Sequence, residues 1–356
     1  MIPPLLSSVI LFLAASTALA DKIDDYVEGQ MRRRRIPGLV LAVVRNEKTT
    51  KTEAYGLANV ELQVSARKEA VFEIGSVTKQ FTATLILMLT EEGKISLDDQ
   101  ITRFFTNAPL TWKEITVRHL LTHTSGIKNY NSLSGFEAAR RLNGNKFVAL
   151  MASHPLEAPP GQTYSYCNTG YNLLGYILES VTGKSYWTFL QERILEPLQM
   201  HHTASRDLKT VITNRADGYE IEKSVLVNRD SDLTDVFSAG AIVSTIPDLL
   251  KWNAALDTER FLSKASRETM WTQVTLNSGE RRPYGFGWRL DEHKGRRVIW
   301  HSGSTAGFTA CLLRFPEERL AVIVLCNLGE QGTATHVAKG IADLFPPSSV
   351  VKSERP

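Results

Sequence analysis

Leu39-Val40-Leu41-Ala42-Val43-Val44 runs six apolar residues without a break, half of them valine. A run this short and this rich in β-branched side chains reads as a strand. The chain can be read outward from it. Upstream, Pro37-Gly38 closes a helix expected over 22–35. Downstream, a turn at Asn46-Glu47 leads into a second strand that continues through Tyr55. The pattern returns at the far end, where Arg297 to Trp300, Phe308 to Phe315 and Leu320 to Cys326 are strands with short connections. The middle is written differently. Lys79 to Glu92 has helical spacing and stops at Gly93. Tyr171 to Val181 repeats the design, with apolar residues at 173, 174, 177, 178 and 181, and ends before Gly183. Strands at both ends with helices between predict an α/β (α+β) protein: an antiparallel sheet assembled from both chain ends and flanked by helices, with an all-helical domain inserted. The expected boundaries are 21–75 and 240–346 for the sheet domain, 76–239 for the insertion and 347–356 for a frayed tail. No internal repeat is visible.

The 356 residues are 43% hydrophobic and 22% charged, the balance of an ordinary folded protein rather than a disordered or fibrous one. A net charge of +3 is too small for an electrostatic nucleic-acid binder, and the one basic run, Arg32 to Arg35, reads most simply as a solvated helix end. Leu5 to Leu19 is uncharged and largely apolar, and Ala18-Leu19-Ala20 follows the pattern of a cleavage site before Asp21. Residues 1–20 therefore read as a secretory signal peptide, although no Lys or Arg precedes the apolar segment. That segment is shorter than the ~20 residues a spanning helix needs. The expectation is a periplasmic or secreted protein with no stable membrane insertion after cleavage. Export permits disulfides, yet there are only three cysteines, Cys167, Cys311 and Cys326. If Phe315 pairs with Leu320 across the turn at Pro316 to Arg319, Cys311 and Cys326 share a face but sit diagonally, a poor disulfide geometry. Buried free thiols are expected. Nothing in the sequence bears on oligomeric state.

Three short stretches carry residues suited to chemistry. In Phe72-Glu73-Ile74-Gly75-Ser76-Val77-Thr78-Lys79, Ser76 lies where a helix begins, and Lys79 projects from the same face three residues later. A serine hydroxyl is a weak nucleophile until a base takes its proton, and a lysine amine with a lowered pKa can be that base. Taken alone, the pattern fits an N-cap serine beside an exposed lysine better. In Pro159 to Asn168, a Pro-Gly turn leads into a loop that ends where a helix starts near Thr169. Tyr166 and Asn168, two apart, can face the same way. A phenol beside an ammonium becomes more acidic and can relay protons. The Asn168 amide can both accept from Lys79 and donate to a substrate carbonyl. A packed aromatic with an N-cap asparagine is an equal reading of this stretch. In Trp300-His301-Ser302-Gly303-Ser304, Gly303 removes a side chain where a substrate backbone would lie along a strand edge; a core strand with an incidental histidine is the alternative. His123, His201 and His202 have no ligand set of zinc-type spacing around them, and neither metal nor cofactor is expected.

Together, Ser76/Lys79, Tyr166/Asn168 and His301/Gly303 match in order and spacing the three boxes of the penicillin-recognising serine hydrolases. The chain resembles their class C β-lactamase-like branch, which includes DD-peptidases, D-aminopeptidases and β-lactamase-like carboxylesterases. The likeness covers roughly 22–345. It extends to Leu120 to Gly126, to Ala239-Gly240 with Ser244 and Asp248, and to Tyr284 to Trp288. The resemblance implies a β-lactamase/transpeptidase-like fold, Ser76 as acylated nucleophile, Lys79 as its partner, Tyr166 as general acid/base and Asn168 as a ligand of lysine and substrate. It also implies an oxyanion hole from the backbone N–H groups of Ser76 and Ser304. Two departures matter. The class C β-lactamases carry lysine where this chain has His301, and Trp300 stands where relatives often have glycine. Histidine there is similar to some DD-peptidases, D-aminopeptidases and esterases of the branch. The resemblance thus implies hydrolysis of a small ester, peptide or amide through an acyl-enzyme. The alternatives are a β-lactamase and, further off, a non-catalytic binding homologue. Substrate choice is expected to rest on the loop from Asn129 to Ala158 and on the region near Tyr284.

Overall fold

The computed structural model describes residues 19, 21–134 and 142–345. The expected signal peptide, apart from Leu19, and the expected tail lie outside the described residues, as does the 135–141 part of the substrate loop.

The strand read first is the centre of the molecule. β1 (Gly38–Arg45) is buried along nearly its whole length and hydrogen-bonds on both sides, to β2 (Lys48–Asn59) and to β7 (Leu320–Cys326). With β3 (Val64–Ser65), β4 (Arg289–His293), β5 (Arg296–Thr305) and β6 (Phe308–Phe315), these make a seven-stranded antiparallel sheet of order β4-β5-β6-β7-β1-β2-β3. Val40 and Ala42 point into the larger core, against α2 (Thr78–Glu91) and its neighbours. Leu39, Leu41 and Val43 point the other way, against Ile23 and Val27 of α1 (21–34) and against Val337 and Ile341 of α4 (Thr333–Asp343). Helices on both faces explain why β1 is apolar throughout instead of alternating. Each fully buried Val or Leu contributes roughly 1.5–3 kcal/mol.

The turns follow their residues. Asn46 and Glu47 both have positive φ, 51° and 66°, the two-residue hairpin geometry that matches strand twist. Gly93 and Gly183 have φ of 69° and close α2 and α3 (Asn168–Thr182), as left-handed C-terminal residues do. Phe315 pairs with Leu320, which sets Cys326 opposite Thr309 and Cys311 opposite Val324. All three cysteines are buried and free.

Two features depart from the sequence reading. The inserted segment is not wholly helical. Ala204–Ser205 joins Ile242–Ser244 and Phe72–Glu73 in a small sheet, and Gly218–Glu222 pairs with Val225–Arg229. That hairpin turns through Lys223-Ser224 at φ of 48° and 67°, a pair without the Gly or Asn that would announce it. The edge strand β4 was also not foreseen, because Arg289 to His293 alternates too weakly to stand out. Among the described residues no helix is long and apolar enough to cross a membrane.

Candidate active site

Ser76 sits in a single 3-10 turn, Gly75–Val77, that runs directly into α2. The turn presses against β5 at the closest approach in the site. A Cβ on Gly303 would fall 1.8 Å from the Ile74 carbonyl oxygen, and one on Gly75 would fall 2.7 Å from the Ser304 nitrogen. Gly75 also has φ of 49°. Only glycine fits either position. The space beside Gly303 is therefore filled by the chain's own Ile74–Ser76 segment, not by a substrate backbone as expected. The same contact places the backbone nitrogens of Ser76 and Ser304 on one seam, where both N–H groups can meet a developing oxyanion.

Lys79, one turn on, is completely buried. Its Nζ contacts Ser76 Oγ at 3.0 Å, Asn168 Oδ1 at 2.7 Å and the Ala239 carbonyl oxygen at 2.6 Å. The two shorter contacts are to atoms that only accept, whereas the serine hydroxyl can also donate. An ammonium fills this set by donating to all three atoms, and a neutral amine fills it by giving its two N–H groups to Asn168 and Ala239 and accepting from the Ser76 hydroxyl. Burial pushes the Lys79 pKa well below its ordinary value, opposed by Cys167 and assisted by Arg289. Ala239, noted within a family-like motif, thus supplies an acceptor for lysine.

The Tyr166 hydroxyl lies beside Ser76, and its ring lies 5.0 Å from Lys79 Nζ. Its acidity corrects the expectation. Burial raises the phenol above its ordinary value, outweighing the Ser76 bond and the Arg289 charge that pull it down. Tyr166 is therefore a buried phenol rather than a standing phenolate. Asn168, the first residue of α3, holds Lys79 with its oxygen and donates Nδ2 to Asn131 Oδ1 at 2.9 Å.

His301 is placed differently from the expectation. It is 1% exposed; its Nδ1 lies 2.7 Å from the Ser302 carbonyl oxygen and its Nε2 lies 2.9 Å from the Tyr284 hydroxyl. A carbonyl only accepts, so Nδ1 carries the proton and Nε2 accepts from Tyr284. Burial holds its pKa well below the usual histidine range. Both ring nitrogens are occupied by protein partners, and the ring does not line the cavity over Ser76. The permanent cation beside the site is Arg289, stacked between Tyr166 at 5.7 Å and Trp300 at 5.5 Å. It lies on the unforeseen edge strand, opposite Trp300. A basic residue facing the third box across a hairpin was the signal that could have found it.

Over Ser76 opens a cavity of about 220 Å³, lined by Asn131, Asn168, Ser304 and the 231–233 stretch among others. Asn131 lies in the loop expected to set substrate choice, whereas Ser231 to Leu233 carried no sequence signal. His201 and His202 are exposed. Among the described residues no group of three or more His, Cys, Asp or Glu side chains is placed to hold a metal ion.

Comparison with known proteins agrees with this geometry. Protein flp of Staphylococcus aureus strain MW2 is 30% identical over 322 residues, covering 87% of this chain and 63% of its own length. Penicillin-binding protein 4* of Bacillus subtilis strain 168 is 31% identical over 296 residues, covering 78% of this chain and 65% of its own. The chain thus spans less than two thirds of the length of these curated relatives. Among solved structures, the octameric penicillin-binding protein homologue from Pyrococcus abyssi superposes with a TM-score of 0.80 at 29% identity, over 91% of this chain and 77% of that one. The D-amino acid amidase from Ochrobactrum anthropi SV3, complexed with L-phenylalanine amide, gives 0.80 at 25% identity, over 92% and 98%. The Beta-lactamase family profile matches residues 23–344, nearly all of the described chain, and this protein belongs to that family.

Proposed function

We propose that this protein is a serine hydrolase that cleaves a small amide or peptide substrate through an acyl-enzyme on Ser76. One observation carries the reading: a fully buried lysine amine meets the oxygen of Ser76 at 3.0 Å, with the Tyr166 phenol beside the pair. Lys79 takes the hydroxyl proton as Ser76 Oγ forms its bond to the substrate carbonyl carbon. The carbonyl oxygen gains the negative charge and is met by the N–H groups of Ser76 and Ser304. As the C–N bond breaks, Tyr166 gives its proton to the departing amine and recovers one from Lys79. Water then repeats the sequence to release the acid. The 220 Å³ cavity is below the roughly 300–1,000 Å³ of drug-sized ligand sites, which favours a compact acyl group. The amidase among the structural relatives supports amides over esters. Arg289 supports acceptance of anionic substrates, a charge that neutral His301 does not offer. The apolar 5–19 segment and Ala18-Leu19-Ala20 support export to the periplasm or beyond, which N-terminal sequencing of the protein recovered from cells would test.

The activity test is mass spectrometry after exposure to a fluorophosphonate, together with turnover of D-amino acid amides, D-Ala-D-Ala peptides, short nitrophenyl esters and nitrocefin. An adduct on Ser76 with turnover of amides or peptides is expected. Preference for nitrocefin would install the β-lactamase reading in its place, and absence of any adduct would leave a binding homologue.

A further inference from the structure

Tyr166 lies in an irregular segment, residues 163–167, so no helix or strand of its own fixes its hydroxyl on Ser76. Both of its neighbours are held by one residue. The Ser165 N–H donates to the His123 carbonyl oxygen at 2.9 Å, and the Cys167 N–H donates to His123 Nδ1 at 3.0 Å. The imidazole also packs on the ring between those two anchors, with centroids 4.3 Å apart and a tilt of 41° to Tyr166. Tyr171 and Tyr284 close around its other sides at 5.1 and 4.6 Å.

Packing alone accounts poorly for a histidine here. Because Nδ1 accepts from Cys167, the proton of the neutral ring sits on Nε2, which is buried without a hydrogen-bond partner. An apolar residue would fill the same space without burying an unpaired N–H. The backbone is left-handed as well, with φ of 58°, a conformation that Asn, Asp and His tolerate better than other side chains. Burial, with the Arg289 charge assisting, holds the imidazole pKa well below the usual histidine range, which favours the neutral ring and leaves Nδ1 available as an acceptor.

We propose that His123 is the positioning residue for Tyr166, gripping the chain on both sides of it so that the phenol stays on Ser76. The inference rests on the reading of Tyr166 as proton carrier. His123 touches neither Ser76 nor the cavity above it; it acts only through the loop it holds.

The test uses the full chain and three variants. His123→Gly tolerates positive φ but removes the Nδ1 acceptor and the ring. His123→Asn tolerates the same φ and places its amide oxygen near the Nδ1 position. His123→Gln keeps the bulk but carries its amide near the Nε2 position, and serves if the glycine variant does not fold. The readouts are the rate of Ser76 labelling by a fluorophosphonate, kcat and KM on an amide, and the melting temperature. His123→Gly and His123→Gln are expected to lose about 10–100-fold in labelling and kcat, the scale of a roughly 1 Å misplacement, with KM little changed. His123→Asn is expected to regain most of that loss. Unimpaired labelling in the Gly or Gln variant, or an Asn variant no better than they are, would overturn this inference while leaving the site reading intact. A wild-type chain that gives no Ser76 adduct would instead overturn the site reading, and this inference with it.

Discussion

The two walls that meet at Ser76 work in different ways. On the helical wall, side chains face the chemistry. Lys79 comes from the first turn of α2 and Asn168 from the first residue of α3, and their polar atoms meet 2.7 Å apart beside Ser76. On the strand wall, the side chains of the third box are turned to structure. His301 bonds Tyr284 and Ser302, Gly303 has no room for a Cβ, and Ser304 brings its backbone nitrogen to the seam. Helix starts project side chains and free N–H groups toward a common point, whereas a strand offers its neighbour mainly its backbone. One wall is therefore sensitive to which group is present, and the other to how closely the chain can approach.

The largest expected effect tests the helical wall. Ser76→Ala should lower kcat by about 10⁴-fold or more, as loss of a covalent nucleophile does elsewhere, with melting temperature nearly unchanged. A variant that kept even a few per cent of activity, contamination excluded, would end the acyl-enzyme mechanism.

Acid should titrate the same wall. Only the neutral Lys79 amine can accept the serine proton, and burial has moved its pKa well below the ordinary value. The protonated fraction rises as pH falls through that lowered pKa. kcat/KM should then fall about tenfold per pH unit on the acid limb and level off well below the free lysine value of about 10.4. The apparent constant belongs to the coupled Ser76–Lys79–Tyr166 group. A maximum near pH 4–5 would point to a carboxylate base.

The strand wall should respond in stability first. Gly303→Ala drives a Cβ into the Ile74 carbonyl and should cost about 1–3 kcal/mol or more, the range for overpacking, measured by denaturant unfolding. Activity should fall with it, because β5 must retreat from the Ser76 turn. His301→Lys, a change that the sequence alone presents as a route toward anionic substrates, should be destabilising instead. It buries an ammonium and removes the acceptor of the Tyr284 hydroxyl, a loss of about 1–3 kcal/mol. A stable variant with a raised nitrocefin-to-ester ratio would show that the ring does face substrate after all. The smallest effect is expected at Ser304→Ala, which keeps the backbone N–H and should leave kcat/KM within about threefold. A much larger loss would mean that the hydroxyl itself takes part.

Most of the sheet was legible because its information is local. The apolar runs at 39–44, 308–315 and 320–326 and the glycines at 93 and 183 mark their own elements, and the Phe315–Leu320 register follows from the turn between them. Ser76 and Lys79 were legible for the same reason, since three residues of helix determine their relation. Arg289 was not, because a charged edge strand has little apolar pattern, and its nearness to Tyr166 depends on segments more than a hundred residues apart. Nor was the Gly218–Arg229 hairpin, which turns on Lys-Ser.

The sequence by itself determined which residue types could do the chemistry, where the central strands of the main sheet and the helices α1, α2 and α3 lie, and that Cys311 and Cys326 cannot easily bridge. Only the tertiary structure decided protonation and direction. It buried Lys79 and so lowered its pKa, raised the Tyr166 phenol instead of acidifying it, and closed both nitrogens of His301 on Tyr284 and Ser302. It also gave the space beside Gly303 to Ile74. The physical reason is range. Periodicity and turn chemistry act over a few residues, while desolvation and hydrogen-bond partnership are set by whatever distant segment packs against a group.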